Sequence, residues 1–360
     1  MKIQLREQMF SDKEQLFLDD GELKAYLFRY DSGVCGVKLE NSKGYIIVLP
    51  YQGQMVWDAV FCGRSLKMKN ACRIPKFRKE FRDTYGCYVM HCGILRMGCP
   101  SEKDTHPHHG ELPYVTYDEA AIVSGEDEKG RYLAVTGLYE YYKVFADHYA
   151  ARPMTKLYAG SSLIDIRLEV ENMGSAPMDL MYQCHINNAA EAGAKIYQTL
   201  PWDEEHMSAR LSIPQYSEVN PKFLELLDRV REDVSVTRVI GKDDVYDPEI
   251  VTFLRSPVKD ENGFVHYLYQ HPDGSADYTT YDANVLNCAV RWIVYHRDWQ
   301  AMGMVLPGTA EPEGYLAEKE KGNVRSLPGG ETFVSEITAG YLAPEEAEQK
   351  KELIQRIMGE

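Results

Sequence analysis

Several absences in this 360-residue sequence exclude large classes of protein. Lysine and arginine number 40 against 55 aspartates and glutamates, and the formal net charge of −15 disfavours contact with the phosphates of nucleic acids or anionic membranes. No apolar run is long enough to span a bilayer, and residues 1–12 contain no apolar segment of the kind that a signal peptide needs. We therefore predict a cytoplasmic protein that acts on a small molecule, with neither nucleic acid nor membrane as a partner.

Metal-binding cysteine pairs, linkers and repeats are also missing. The eight cysteines include no Cys-x-x-Cys pair and no zinc-ribbon spacing, which predicts reduced structural thiols. No stretch rich in proline, glycine or serine marks a domain boundary, and no repeat of twenty to fifty residues recurs. We therefore expect one domain that covers residues 1–360.

A period-two pattern near the middle of the chain is typical of β-structure. Apolar and charged residues alternate over 164–171, a turn signal follows, and the alternation resumes over 178–187. This pattern predicts a hairpin, and it places His185 on the same strand face as Gln183 and Asn187. An imidazole flanked by two amides predicts a polar groove that suits carbohydrate.

Two segments predict helices instead. Within the charged region 201–248, Asn220 can cap a helix that begins at Pro221, and apolar residues follow at helical spacing. Residues 344–358 carry their acidic residues early and their basic residues late, as the helix dipole favours. Short strand-like runs fill the rest. We therefore predict an all-β fold, a large antiparallel β-sandwich with a charged helical insertion around 201–248 and a C-terminal helix.

The most unusual stretch is a loop that holds three histidines in four positions. His106, His108 and His109 are followed by Glu111 and bounded by prolines, so the segment cannot form regular helix or central strand. Imidazole exchanges protons near neutral pH and is also the commonest metal ligand in proteins. The loop therefore predicts either acid–base chemistry or a metal site.

Two charged segments are candidates for substrate contact. The first is a run of basic residues, which can hold a carboxylate or phosphate group or can simply form a solvated loop. Its members are Arg64, Lys67, Lys69, Arg73, Lys76, Arg78, Lys79 and Arg82, interrupted only by Glu80. The second is the loop 309–314, which contains the candidate bases Glu311 and Glu313. An acidic or phosphorylated sugar is therefore one hypothesis for the substrate.

Four landmarks, taken in their order along the chain, resemble the aldose 1-epimerase (galactose mutarotase-like) superfamily. They are the hairpin at 48–57, the His109-Gly110 loop, His185 followed closely by Asn187, and Glu311 ahead of the turn at 328–331. The similarity extends over residues 45–341, and the whole chain is similar to a bacterial branch of that superfamily with no assigned substrate. The resemblance implies a galactose mutarotase-like supersandwich.

The resemblance also implies an activity and a set of site residues. An aldose 1-epimerase opens a cyclic hemiacetal by removing the proton of the anomeric hydroxyl and protonating the ring oxygen, which requires a base and an acid but no cofactor. By this resemblance Glu311 is the base, His185 is the acid, and His109 hydrogen-bonds the ring oxygen or a neighbouring hydroxyl. The expected substrate contacts are Arg64, His108, Gln183, Asn187, Trp202 and Glu313, of which Glu313 is the alternative base. The expected partner is a sugar, neutral or anionic, and the expected assembly is a monomer or homodimer.

Other functions fit parts of the pattern. The cluster of His106, His108 and His109 with Glu111 approaches the arrangement in cupins, where imidazoles and a carboxylate hold a divalent metal for sugar isomerisation. The spacing to Glu111 is one residue shorter than in that motif. A non-catalytic carbohydrate-binding sandwich, or a lyase or hydrolase with the same fold, is a further option, because a fold does not fix a reaction.

Overall fold

The computed structural model describes residues 1–77, 80, 83, 85–210 and 219–360. Arg78, Lys79 and Arg82 of the predicted basic run, and residues 211–218 of the predicted insertion, lie outside the described residues. Within the described part of the chain, 23 strands form two large sheets, and three α-helices accompany them.

The strands are numbered β1 to β23 in chain order. They are β1 Lys2–Gln4, β2 Gln15–Asp20, β3 Leu23–Arg29, β4 Cys35–Asn41, β5 Gly44–Val48, β6 Val56–Phe61, β7 Arg64–Ser65, β8 Val89–Ile94, β9 Glu119–Asp127, β10 Gly130–Tyr142, β11 His148–Tyr158, β12 Leu163–Asn172, β13 Met178–Ile186, β14 Asn188–Ala189, β15 Lys195–Gln198, β16 Met207–Ala209, β17 Tyr246–Leu254, β18 Phe264–Gln270, β19 Ala276–Asp282, β20 Cys288–Tyr295, β21 Gln300–Gly308, β22 Arg325–Leu327 and β23 Thr332–Leu342.

These strands divide into a sheet of nine and a sheet of fourteen. The smaller sheet has the order β1-β9-β10-β11-β12-β23-β19-β18-β15. The larger follows the path β16-β17-β20-β21-β13-β8-β6-β5-β4-β3-β2, with β7, β14 and β22 paired beside it. Neighbouring strands near the centre of each sheet run antiparallel. The two-sheet antiparallel architecture confirms the all-β prediction.

The hairpin that we predicted from the alternating pattern is wrong. β12 pairs with β11 and β23 in the smaller sheet, whereas β13 pairs with β8, β21 and β22 in the larger one. The chain therefore crosses between the sheets after Asn172, whose Nδ2 donates to the carbonyl oxygens of Ala176 and Leu327, both at 2.9 Å. A tight hairpin and a short crossover use the same turn residues, so the local pattern does not separate them.

The alternation along β13 did predict which side chains share a face. Five of them are buried in the main apolar core between the sheets, namely Met178, Leu180, Tyr182, Cys184 and Ile186. Met181 points the other way, into a second apolar cluster that includes Met90 and Ala310. Gln183 and His185 share the face of Met181, because side chains two positions apart along a strand point in the same direction. The candidate site therefore lies on the face of the larger sheet that is turned away from the smaller one.

The helices are α1 Pro221–Glu232, α2 Tyr315–Lys321 and α3 Pro344–Met358. α1 begins as predicted, since Asn220 Oδ1 accepts a hydrogen bond from Lys222 N at 3.1 Å and Pro221 occupies the first turn. Its buried stripe consists of Phe223, Leu226, Leu227 and Val230. α3 confirms the predicted C-terminal helix. No helix in the described part of the chain is long and apolar enough to cross a membrane.

Candidate functional site

The floor of the candidate site is built by β13 and its neighbour β8. The register pairs His185 with Met90 and Gln183 with Cys92, and all four side chains point to the same face. His185 is 5% exposed and Gln183 is 1% exposed, so both polar groups lie in a mostly apolar environment. Gln183 Nε2 has no hydrogen-bond partner among the described residues. A polar atom in this position needs a partner from outside the protein chain, such as water or a ligand.

The ring of His185 is held in one orientation by Asn187. His185 Nδ1 lies 2.7 Å from Asn187 Oδ1, and the Tyr85 hydroxyl donates to the same oxygen at 2.9 Å. Asn187 Nδ2 donates to the carbonyl oxygen of Cys87 at 3.0 Å, which fixes the orientation of the amide. Because Asn187 Oδ1 only accepts, Nδ1 of His185 carries the ring hydrogen and Nε2 offers a lone pair. Both polar atoms of the Asn187 side chain form hydrogen bonds within the protein, so the structure gives it a positioning contact rather than the sugar contact predicted from the sequence.

His185 is neutral at pH 7. Burial lowers its pKa to about 4, although the hydrogen bond with Asn187 opposes that shift. The ring of His109 lies edge to face with that of His185, with 5.4 Å between the centroids. Burial also lowers the pKa of His109 well below its ordinary value, with further lowering from the charges of His185 and His108. Neither ring is therefore protonated at neutral pH, whereas the resemblance predicted that His185 acts as an acid.

Backbone hydrogen bonds of the loop with three histidines hold His109 at this site. His109 N donates to the carbonyl oxygen of Gly98 at 2.9 Å, and Gly93 N donates to the carbonyl oxygen of His109 at 2.9 Å. A Cβ on Gly110 would collide with the carbonyl oxygens of Arg96 and Gly93, and the residue has a φ of 79°. The His-Gly pair is therefore required by a close approach of three backbone segments.

Aromatic residues that the sequence analysis did not identify border His185. The ring centroid of Trp292 lies 5.4 Å from that of His185 and that of Tyr85 lies 5.5 Å away, while Trp299 stacks on Tyr85 at 6.5 Å. Trp292 Nε1 donates to Glu249 Oε2 at 2.7 Å. Strand alternation indicates that Trp292 and Arg291 face opposite ways, but no local signal indicates which face holds the site. Aromatic faces next to polar groups are typical of sugar-binding sites.

Glu311 lies in a loop that is hydrogen-bonded to β13 and to the segment beside the His109 loop. Thr309 N donates to the carbonyl oxygen of Tyr182 at 2.7 Å, and Cys99 N donates to that of Pro312 at 3.0 Å, beside the loop of His109. The carboxylate of Glu311 is buried. Its Oε1 accepts from Arg255 Nε at 2.8 Å and lies 2.7 Å from Arg255 Nη2, and its Oε2 accepts from Lys321 Nζ at 2.7 Å.

Other predicted residues lie in different surroundings. Glu313 shares Lys321 at 2.6 Å. His108 is half-buried beside His109, and its carbonyl oxygen accepts from the Tyr114 hydroxyl at 2.8 Å.

The structure does not bring Trp202 and Arg64 to the group around His185. Trp202 packs against the inner core, with the guanidinium of Arg291 5.0 Å from its ring, on the side of β20 opposite to Trp292. Arg64 is bound by two carboxylates, Glu191 at 2.9 Å and Asp273 at 2.7 Å. The charge of Arg64, the first residue of the basic run, is therefore paired within the protein.

The cupin-like metal site is not formed. His106 Nε2 accepts from Tyr315 N at 3.3 Å, where Asp104 also accepts from Leu316 N, so this histidine holds the start of α2. Glu111 Oε1 instead accepts hydrogen bonds from the backbone of β8 and from the Tyr149 hydroxyl.

One group with metal-ligand spacing occurs in the described part of the chain, formed by Glu311, Glu313 and Glu318. Lys321 Nζ lies 2.6–2.8 Å from a carboxylate oxygen of each of them. An ammonium group therefore already lies between these three acidic side chains, in the position that a metal ion would take.

The comparisons with known proteins identify a family and a fold. A family model described as "Domain of unknown function (DUF4432)" matches residues 32–340. The chain belongs to this family. None of the curated proteins compared with the chain matches it.

Solved structures with the same fold carry mutarotase-related names. One is a "putative aldose 1-epimerase" from Klebsiella pneumoniae, with 14% identity, coverage of 100% of this chain and 96% of the other, and a TM-score of 0.81. Others are a galactose mutarotase-like protein from Clostridium acetobutylicum, with 13% identity, coverage of 89% and 98% and a TM-score of 0.59, and a galactose 1-epimerase from Lactobacillus acidophilus, with 11% identity, the same coverage and a TM-score of 0.54. At these identities the likeness shows the fold alone, and it confirms the predicted galactose mutarotase-like architecture.

Proposed function

We propose that the chain interconverts the anomers of an aldose, as an isomerase of the aldose 1-epimerase kind, at the group formed by His185 and His109. One observation carries the proposal: a buried imidazole has its tautomer fixed by the protein and its Nε2 lone pair left for a substrate. The Tyr85 hydroxyl lies 3.4 Å from that Nε2, but its single hydrogen is directed to Asn187 at 2.9 Å. The fold shared with mutarotase-like proteins supports the same reaction class.

The proposed reaction uses His185 as a proton carrier. Nε2 takes the proton of the anomeric hydroxyl, and the resulting imidazolium gives a proton to the ring oxygen as the bond between that oxygen and the anomeric carbon breaks. The open aldehyde rotates and closes on either face by the reverse transfers. His185 thus retains the acid role predicted from the sequence, but it gains its proton within the cycle because the resting ring is neutral.

Neighbouring groups orient the sugar in this proposal. A neutral His109 has one N–H group, which donates to the ring oxygen as predicted from the sequence. Gln183 Nε2, buried beside His185, donates to another hydroxyl. The ring of Trp292 provides an apolar face against which the pyranose packs. The substrate class is therefore an aldose in its cyclic form.

Glu311 as the base is a second assignment that the structure also supports. A carboxylate has about four lone-pair sites, and Arg255 Nε, Arg255 Nη2 and Lys321 Nζ take three of them, which leaves one for a substrate hydroxyl. If Glu311 takes the anomeric proton, the variant Glu311→Gln loses about as much activity as a His185 variant. If Glu311 only braces its loop, the loss stays below about tenfold.

Saturation-transfer NMR on a panel of neutral and anionic aldoses tests the proposal, because it reports anomer exchange directly. We expect His185→Ala to lower the exchange rate by about 10²–10⁴-fold while its circular dichroism matches that of the parent. His206→Ala is the matched control, since His206 pairs with Asp203 near the surface and should keep the parent rate. Parent-level exchange by folded His185→Ala, or no exchange with any aldose, contradicts the proposal.

A further inference from the structure

Arg291 is a fully buried arginine on the inner face of the larger sheet. It lies on β20, directly before Trp292, and its exposed fraction is 0%. Its Nε donates to the carbonyl oxygen of Met304 at 3.1 Å, and its Nη2 donates to Gln198 Oε1 of the smaller sheet. The guanidinium also lies 5.0 Å from the ring of Trp202. The charge is thus held rigidly between the two sheets.

No carboxylate in the described part of the chain compensates this charge. Among the described residues none forms an ion pair with Arg291 within 4.0 Å, although twenty other lysines, arginines and histidines do so with at least one acid. Burial lowers the pKa of Arg291 to about 10, which still leaves the group charged at pH 7. An isolated charge inside a protein is costly unless it is paired and hydrogen-bonded. The interior therefore requires a counter-charge that the described side chains do not supply.

Several buried hydrogen-bonding groups near Arg291 also lack partners among the residues that the structure describes. They are Arg291 Nη1 itself and the hydroxyls of Thr252 and Tyr246, each in a buried residue. The buried hydroxyl of Tyr267 has that of Tyr281 as its hydrogen-bonding neighbour. Thr252 is the cross-strand neighbour of Arg291, and Tyr267 is the cross-strand neighbour of Gln198, which binds Arg291. Burial raises the pKa of the Tyr246 and Tyr267 hydroxyls, and the charge of Arg291 opposes that rise, so both groups lie within its field.

We propose that Arg291 and these three hydroxyls bind a small inorganic anion of the chloride class between the two sheets. Each of the four groups can donate a hydrogen bond, and an anion beside Arg291 Nη1 supplies both an acceptor and the missing counter-charge. Full burial of Arg291 excludes a large metabolite and favours a monatomic ion. This site lies on the inner face of the larger sheet, whereas His185 lies on the outer face. It is independent of the proposed isomerase activity.

Thermal unfolding in chloride tests the proposal. The parent protein, dialysed into sodium gluconate, is unfolded at 1–100 mM chloride with gluconate keeping the ionic strength constant. We expect the unfolding midpoint to rise by about 2 °C for each tenfold increase in chloride above the dissociation constant. Ion chromatography of the denatured protein should recover about one chloride per chain from the parent purified in chloride.

Variants separate this site from general salt effects. Arg291→Met should remove the chloride response, whereas Arg238→Met, which deletes a more exposed guanidinium near the same Trp202 ring, should keep it. If Arg291→Met does not fold, Thr252→Val and Tyr267→Phe should each weaken the response. A parent midpoint that does not distinguish chloride from gluconate, with no chloride recovered, overturns the proposal, as does an unchanged response in all three variants.

Discussion

His185 and His271 are both buried, yet their surroundings favour opposite charge states. His185 contacts an amide oxygen and aromatic rings, and its pKa is lowered to about 4 by burial. His271 lies between two carboxylates, with Nδ1 2.9 Å from Glu191 Oε2 and Nε2 3.5 Å from Asp277 Oδ1. Burial alone would lower the pKa of His271, but Asp277 and Glu191 outweigh it, and the pKa is raised. The partner, more than the depth of burial, decides the charge.

The two histidines also differ in what they connect. His271 follows β18 of the smaller sheet, while Glu191 follows β14 of the larger sheet and also binds Arg64. His271 therefore joins the sheets through its contacts with the carboxylates of Glu191 and Asp277. His185 instead faces the outer surface of the larger sheet, where a neutral ring with a free lone pair suits proton exchange.

The largest effect that we expect is a loss of protein stability when His271 is replaced. His271→Gln removes the imidazolium and leaves the buried carboxylate of Asp277 without its ion partner. Breaking a buried pair in this way costs about 3–5 kcal/mol. Urea unfolding should show this loss, whereas His206→Gln, which removes the more exposed pair with Asp203, should change the free energy of unfolding by less than about 1 kcal/mol. Equal losses in the two variants would contradict the assignment.

The substitution Asn187→Asp gives His185 the kind of partner that His271 has. A carboxylate against Nδ1 should raise the pKa of His185 by about 1–3 units. Since the proposed reaction needs the neutral ring, kcat/KM should be level above about pH 5 in the parent and fall below it, and this fall should move to higher pH in the variant. NMR titration of the imidazole measures the pKa without relying on activity. An unshifted titration would show that Asn187 does not set the charge of His185.

The pH dependence of stability should sharpen the contrast. The pKa of His271 in the folded protein is raised above the ordinary value of 6.5, so its stabilisation is fully present below pH 6.5 and is lost as the pH rises through the folded-state value. Each unit of difference is worth about 1.4 kcal/mol. Urea unfolding at pH 6 and pH 9 should therefore show a gap between the parent and His271→Gln that narrows at the higher pH. A gap that widens would reverse the assigned charge.

The smallest effect is expected at Glu313, which is the most exposed of the three carboxylates around Lys321. Lys321 keeps Glu311 and Glu318 as partners when Glu313 is changed. Glu313→Gln should therefore alter the free energy of unfolding by about 0–1 kcal/mol, as for other partly exposed ion pairs. Chemical denaturation measures this change, and a loss of several kcal/mol would show that the cluster depends on all three acids.

Local patterns predicted the parts of this molecule that depend on neighbouring residues. The alternation from Met178 to Asn187 predicted that His185 and Gln183 share a face, because side-chain direction has a period of two along any strand. Asn220 and Pro221 predicted the start of α1, because capping involves groups within one turn of the chain. The order of motifs led to the His109-Gly110 loop and to the fold.

Long-range contacts decided the rest. The sequence could not separate a hairpin after Asn172 from a crossover between sheets, since both need the same turn. Trp202 was predicted to contact the sugar, but it lies away from the site. Its ring packs beside Arg291, on the inner face of β20. Trp292 and Tyr85 are about a hundred residues from His185 in sequence, and no spacing connects them with it.

The sequence by itself determined the all-β class, the faces of β13 and the presence of imidazoles suited to proton exchange. The tertiary structure decided which of those imidazoles are neutral, which are paired with acids and which support a helix. The physical reason is that strand periodicity and helix capping act over a few residues, whereas burial, ion pairing and hydrogen bonding that set a pKa come from segments folded together from the whole chain.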